Sequence, residues 1–162
     1  MNRVVVTGLG AVTPLGNSVQ ELWEGLQQGR SGIARVASFD PSDFSSHIAG
    51  EVKGFDPEKF IEPKECKRMD RFVQLAVVGS QLAVDDAALD LPREDLNRIG
   101  VYIGSGIGGI ATMELQKETM MAKGPRRISP FLIPMMIVNI ASGLVSMRFG
   151  IKGPNSCCAT AC

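Results

Sequence analysis

The sequence carries no excess charge of either sign: 17 Lys and Arg stand against 17 Asp and Glu, a formal net charge of zero over 162 residues. That balance removes the bulk attraction that draws a protein to nucleic acid or an anionic membrane, so a charge-guided partner must be met by a local patch. Aromatics make up only 6%, and there is a single histidine, His47, which reads as a surface residue beside a polar loop. Cysteine occurs four times but not in a metal-binding pattern. Cys157, Cys158 and Cys162 lack a C-x2-C spacing, and neighbouring strand residues point to opposite faces, so no metal site is expected. Nothing marks secretion, and the thiols read as reduced rather than as a disulfide framework. The apolar start at Val4, Val5 and Val6 is too short for a signal h-region, and the chain reads as cytoplasmic. Residues 128–147 hold no charge, and roughly 20 apolar residues cross a bilayer. Pro130 and Pro134 nevertheless break the first third, and Asn139, Ser142, Gly143 and Ser146 keep the rest small or polar. A buried helix or a subunit interface is expected there, not a membrane span.

What is present is a globular composition, 44% hydrophobic and 21% charged, with 18 glycines that point to tight backbone approaches. Residues 4–7 form a β-branched run and predict a buried strand entering a turn at Gly8-Leu9-Gly10. Asn17 or Ser18 is placed to cap a helix over 19–28, with Leu22, Trp23 and Leu26 as its apolar stripe. Residues 29–46 read mostly as loop. Phe72, Leu75, Ala76, Gly79, Leu82, Ala83 and Asp86 recur at helical spacing and predict a long helix with that face inward. A second strand over 99–105 opens a helix running to about Lys123. Ser129 and Pro130 form an N-cap and N1 pair, residues 135–149 predict an apolar helix closed by Gly150, and 155–161 a last short strand. Strands alternating with helices imply an α/β fold with a largely parallel sheet.

Two motifs carry chemistry. Gly104, Gly106 and Gly109 match G-x-G-x-x-G between a strand and a helix, the pattern that seats a pyrophosphate on a helix N-terminus. The acidic residue expected about 20 positions further on is missing. What remains is that the backbone here comes very close to something, be it substrate, helix or partner chain. Cys157 and Cys158 read as small buried hydrophobes in a strand. Cys162 follows that strand after the small Thr160 and Ala161, where an elbow exposes a sulfur and a following helix would lower its pKa.

The run Val4-Val5-Val6-Thr7-Gly8-Leu9-Gly10, followed by Pro14-Leu15-Gly16-Asn17, resembles the opening of elongating, type II β-ketoacyl-ACP synthases. The resemblance continues in order through Lys67-Arg68-Met69-Asp70-Arg71-Phe72, Gly104 to Gly109, Arg126-Arg127-Ile128-Ser129-Pro130-Phe131, Ile137-Val138-Asn139 and Gly153-Pro154-Asn155, ending at Ala159-Thr160-Ala161-Cys162. It implies a thiolase-like fold of two similar α/β halves, with residues 1–162 forming the N-terminal half up to the nucleophile. It also implies that Cys162 accepts an acyl group from acyl carrier protein, after which malonyl-ACP decarboxylates and its carbanion attacks the bound thioester. A sulfur suits that step, because its thiolate is nucleophilic near neutral pH and a thioester stays electrophilic.

By the same resemblance Ile107 gates the acyl pocket and Leu132 lines it from the partner subunit of a homodimer. Lys64, Lys67, Arg68, Arg126 and Arg127 fall where the family docks its acidic carrier protein, although solvated surface is the plainer reading of such clusters. No cofactor is implied. The two histidines and the lysine of the family's malonyl site come from the second half, and His47 matches neither histidine. The 162 residues alone are therefore expected to lack condensing activity. Kept beside this reading are a polyketide or initiating condensing enzyme, a non-catalytic remnant that binds carrier protein or a synthase partner, and a dinucleotide-binding oxidoreductase.

Overall fold

The computed structural model describes residues 3–160. The order of elements is α1 (Val19–Gln27), β1 (Ala34–Arg35), β2 (Ile48–Ala49), α2 (Pro63–Cys66), α3 (Arg71–Asp86), β3 (Val101–Gly104), α4 (Ile110–Lys123), α5 (Leu132–Met136), α6 (Ile140–Phe149) and β4 (Asn155–Cys158), with short 3-10 turns between some of them. The chain divides into two compact units: residues up to 56 together with 81–89, and residues 57–80 together with 90–162.

In the first unit, Ser18 caps α1 by accepting from the Glu21 N–H at 3.1 Å, while the Glu21 carboxylate accepts from the Asn17 N–H at 2.6 Å. These two bonds satisfy donors that a helix start leaves open. The stripe expected on α1 is not inward: Trp23 and Leu26 are exposed, and the buried position is Gly25. β1 and β2 pair antiparallel, with Ala34 opposite Ala49 and Arg35 opposite Ile48. The exposed His47 joins this ladder only through its carbonyl, which accepts from the Val36 N–H at 3.0 Å. The strand expected over residues 4–7 is not formed among the described residues: the segment belongs to no ladder, and Val4 and Val6 are 91% and 80% exposed. A β-branched run becomes a strand only where a neighbour supplies hydrogen bonds, and among the described residues none does. The end of α3 also lies in this unit and is closed by Ala88 with a φ of 48°. Ala88 N–H donates to the Asp85 carbonyl and Leu89 N–H to the Val84 carbonyl, a Schellman motif with alanine where glycine is usual.

The second unit holds the parallel pair β3–β4, with Val101 opposite Asn155 and Gly104 opposite Cys158. The described residues thus contain one antiparallel and one parallel strand pair, consistent with a mixed sheet. Helix α6 packs on β3 and β4 and buries Ala141, Ser142 and Val145. Ile61, Val73, Val77, Val78 and Val101 complete the core. On α3 the deepest positions are therefore Val73, Val77 and Val78, whereas Phe72, Leu75, Ala76 and Gly79 are half-buried. A helix apolar on most sides has no single inward stripe for spacing to find. The apolar helix expected over 135–149 is two helices, because Ile137 is extended (ψ 137°) and α6 starts afresh at Ile140. Ser129 does not cap α5 directly; its hydroxyl accepts from the Phe131 N–H at 3.1 Å, one residue before the helix. Gly150 closes α6 in the left-handed region at φ 68°, as its position in the sequence predicts. Among the described residues, no helix is long and apolar enough to cross a membrane.

Candidate active site

β3 and β4 run side by side in one direction, so their carboxyl ends lie at the same edge of the pair. In α/β folds that edge is where ligands bind. The end of β3 leads into the glycine turn, and the Ser105 N–H donates to the Cys158 carbonyl at 3.0 Å, extending the ladder by one bond. The Ser105 hydroxyl accepts from the Gly108 N–H at 3.1 Å and folds the turn back toward α4. At its tip Ile107 is 68% exposed.

Beside that tip lies an apolar groove of about 530 Å³, lined by Ile107, Ile110, Met113, Met136, Ile137, Val138 and Asn139. No charged side chain lines it, and the flexible thioethers of Met113 and Met136 adapt to the shape of an apolar guest. Its mostly apolar lining suits a hydrocarbon chain, with Asn139 the one polar side chain among the residues named. The glycines explain how the groove is closed. Gly109 N–H donates to the Met136 carbonyl at 3.0 Å, and a methyl added at Gly109 would overlap the Met135 carbonyl and lie 2.9 Å from Met136 Cα. The close approach foreseen from the glycine run is thus to the end of α5. With its N–H given to Met136, Gly109 does not offer that amide to a pyrophosphate.

Leu132 begins α5, is half-buried and is not among the residues lining the groove. Lys64, Lys67 and Arg68 are exposed on and just after α2, and Arg126 and Arg127 are exposed in the 3-10 turn Pro125–Arg127. The Arg68 guanidinium stacks 4.9 Å from the centre of the Phe131 ring, next to Leu132.

Cys162 lies outside the described residues. Cys157 and Cys158, expected to be buried packing, are instead half-exposed, because β4 is paired on one side only among the described residues. The Cys158 sulfur lies 3.1 Å from the Thr160 hydroxyl. Hydrogen bonds from Thr160 and then from Tyr102 hold its thiol below the ordinary pKa, and the Tyr102 phenol is pushed up by the same partner. Among the described residues, no three His, Cys, Asp or Glu side chains gather in a metal-binding group.

Sequence reasoning missed Ile110, Met113 and Met136 of the groove, and also Asp70. Asp70 is buried, and its carboxylate accepts from the Phe72 N–H at 3.3 Å, the Thr112 N–H at 3.0 Å and the Thr112 hydroxyl at 2.6 Å. An acid directly before a helical pattern is a cap signal, but its partner on another helix is not readable from spacing.

The turn that follows the parallel-paired strand β3 thus borders an apolar groove. This chain belongs to the β-ketoacyl synthase family, whose N-terminal domain it matches over residues 1–162. It is 53% identical to 3-oxoacyl-(acyl-carrier-protein) synthase 2 of Synechocystis sp. over 99% of its length and 38% of the relative's. It is 49% identical to the synthase of the same name from Staphylococcus aureus, again over 99% of this chain and 39% of that one. The chain thus spans about two-fifths of these relatives. Among solved structures, the ishigamide ketosynthase/chain length factor superposes with a TM-score of 0.86 at 27% identity, over 96% of this chain and 39% of that one. A type II PKS acyl-carrier protein in complex with its ketosynthase, bound to the hexaketide, matches at 0.78 and 26% identity, over 94% and 40%. The fold is that of the thiolase-like ketosynthases.

Proposed function

We propose that the whole protein to which these residues belong is an elongating 3-oxoacyl-(acyl-carrier-protein) synthase, working in the cytoplasm as a homodimer, and that Cys162 is its acyl-accepting nucleophile. The Cys162 thiolate attacks the thioester carbonyl of an acyl carrier protein, forming the enzyme thioester and releasing the carrier's thiol. Malonyl carrier protein then loses carbon dioxide, the resulting carbanion attacks the enzyme thioester, a carbon–carbon bond forms and the Cys162 thiolate departs. The growing chain lies in the groove beside Ile107, with Leu132 contributed from the partner subunit. Lys64, Lys67, Arg68, Arg126 and Arg127 receive the acidic carrier protein. The single observation that supports this reading is the uncharged groove at the tip of the turn that follows β3, the strand paired in parallel with β4; in the sequence Cys162 follows Cys158 by four residues.

The test is acyl transfer from acyl carrier protein to the full-length protein, read by intact mass and peptide mapping. An acyl adduct on Cys162, lost in Cys162→Ala, is the expected result; an adduct elsewhere, or none, overturns the assignment. Charge reversal at Arg68 and Arg127 should raise the KM for acyl carrier protein and leave that for a small acyl thioester unchanged. A second reading, a polyketide condensing enzyme, is favoured by the two solved ketosynthases named above. Turnover on ketide chains in preference to saturated ones would select it.

A further inference from the structure

Asp70 is buried, is not among the residues lining the groove, and has no part in the chemistry above. Yet its carboxylate joins two elements 42 residues apart in sequence. One oxygen accepts from the Phe72 N–H at the start of α3. The other accepts both from the Thr112 N–H and from the Thr112 hydroxyl, which is itself buried in the first turn of α4. That turn is one wall of the groove, since Ile110 and Met113 flank Thr112 on either side. α4 has no side-chain cap of its own, its N-cap being Gly109, so Asp70 is the side chain that satisfies an otherwise open donor in its first turn. A carboxylate near a helix start is also favoured by the helix dipole. Two residues earlier, Arg68 stacks on Phe131 at the head of α5, the helix that ends in the opposite wall at Met136. The turn carrying residues 68–70 thus contacts the first turn of α4 through Asp70 and the residue before α5 through Arg68.

We propose that Asp70 is a positioning residue that sets the width of the acyl groove, and through it the enzyme's chain-length selectivity, by holding Thr112 and hence the Ile110–Met113 wall in place. This rests on the functional reading above. Loosening one wall of an apolar slot changes how well it tells neighbouring chain lengths apart, because each methylene in a well-fitted pocket is worth roughly ten-fold or more in kcat/KM.

The experiment compares the full-length wild-type protein with Asp70→Asn, Thr112→Val and Thr112→Ser, measuring kcat/KM for acyl chains of increasing length together with hydrogen exchange of the α4 first-turn amides. Asp70→Asn and Thr112→Val are expected to flatten the chain-length profile by about five-fold or more and to speed exchange at Thr112 and Met113. Thr112→Ser, which keeps the hydroxyl, is expected to retain the wild-type profile. An equal loss at every chain length, an unchanged profile, or unchanged exchange in Asp70→Asn would each overturn the proposal. A wild-type protein that accepts no acyl chain of any length would overturn the functional reading and the selectivity claim with it. The exchange measurement judges the Asp70–Thr112 clamp separately.

Discussion

Asn155 and Ser142 hold each other twice: the Asn155 amide donates to the Ser142 carbonyl at 2.8 Å, and the Ser142 hydroxyl returns a bond to Asn155 Oδ1 at 3.0 Å. The same amide reaches the Ser146 hydroxyl at 2.7 Å, so a single side chain at the start of β4 fixes a full turn of α6. Ser142 is 0% exposed and has no water to replace the bond. Asn155→Ala is expected to destabilise the protein by about 1–3 kcal/mol. Asn155→Asp, which loses both donors and sets an anion against a carbonyl, is expected to cost at least as much. Chemical denaturation midpoints measure both, and an Asp variant as stable as wild type would contradict the assigned geometry.

The groove depends on the missing side chain at Gly109. Gly109→Ala would force the α4 start away from α5, at an expected cost of about 1–3 kcal/mol. Binding of an apolar fluorescent probe should fall with it. Restored stability without restored probe binding in a second-site revertant would separate the two effects.

Ala88 occupies a left-handed position at φ 48° and is exposed, so its methyl contributes strain and little packing. Ala88→Gly is expected to raise stability by about 0.5–1 kcal/mol, against the usual trend for alanine-to-glycine changes. Thermal or urea unfolding would read the sign directly.

The Cys158 thiol, lowered by Thr160 and Tyr102, should be alkylated with a pH midpoint below that of an ordinary cysteine. The folded state favours its thiolate, so the advantage is present above the unfolded pKa and disappears as pH falls through the lower folded value. Thr160→Val is expected to move the alkylation midpoint upward. Peptide-resolved mass spectrometry across pH follows Cys157 and Cys158 separately.

Local signals that close on themselves were readable in advance. Asn17 or Ser18 marked the start of α1, where Ser18 is the cap; Gly150 marked the end of α6, and the run 99–105 the strand found over Val101–Gly104. Features needing a distant partner were not. Residues 4–7 have the composition of a strand but no paired neighbour among the described residues, and a long apolar run concealed the extended break at Ile137. In the site, Ile107 came from family resemblance, while Ile110, Met113 and Met136 became neighbours only through the contact of Gly109 with α5. Asp70 was hidden for the same reason, its meaning residing in a threonine on another helix.

Met136, a residue of the groove wall, is joined to Gly109 by a bond between main-chain atoms. Such a hinge line is indifferent to which side chains surround it. The bond itself involves no side-chain atom of Ile107 or Met113, so retuning which guest fits becomes a matter of substituting the upholstery while the frame stays as it is.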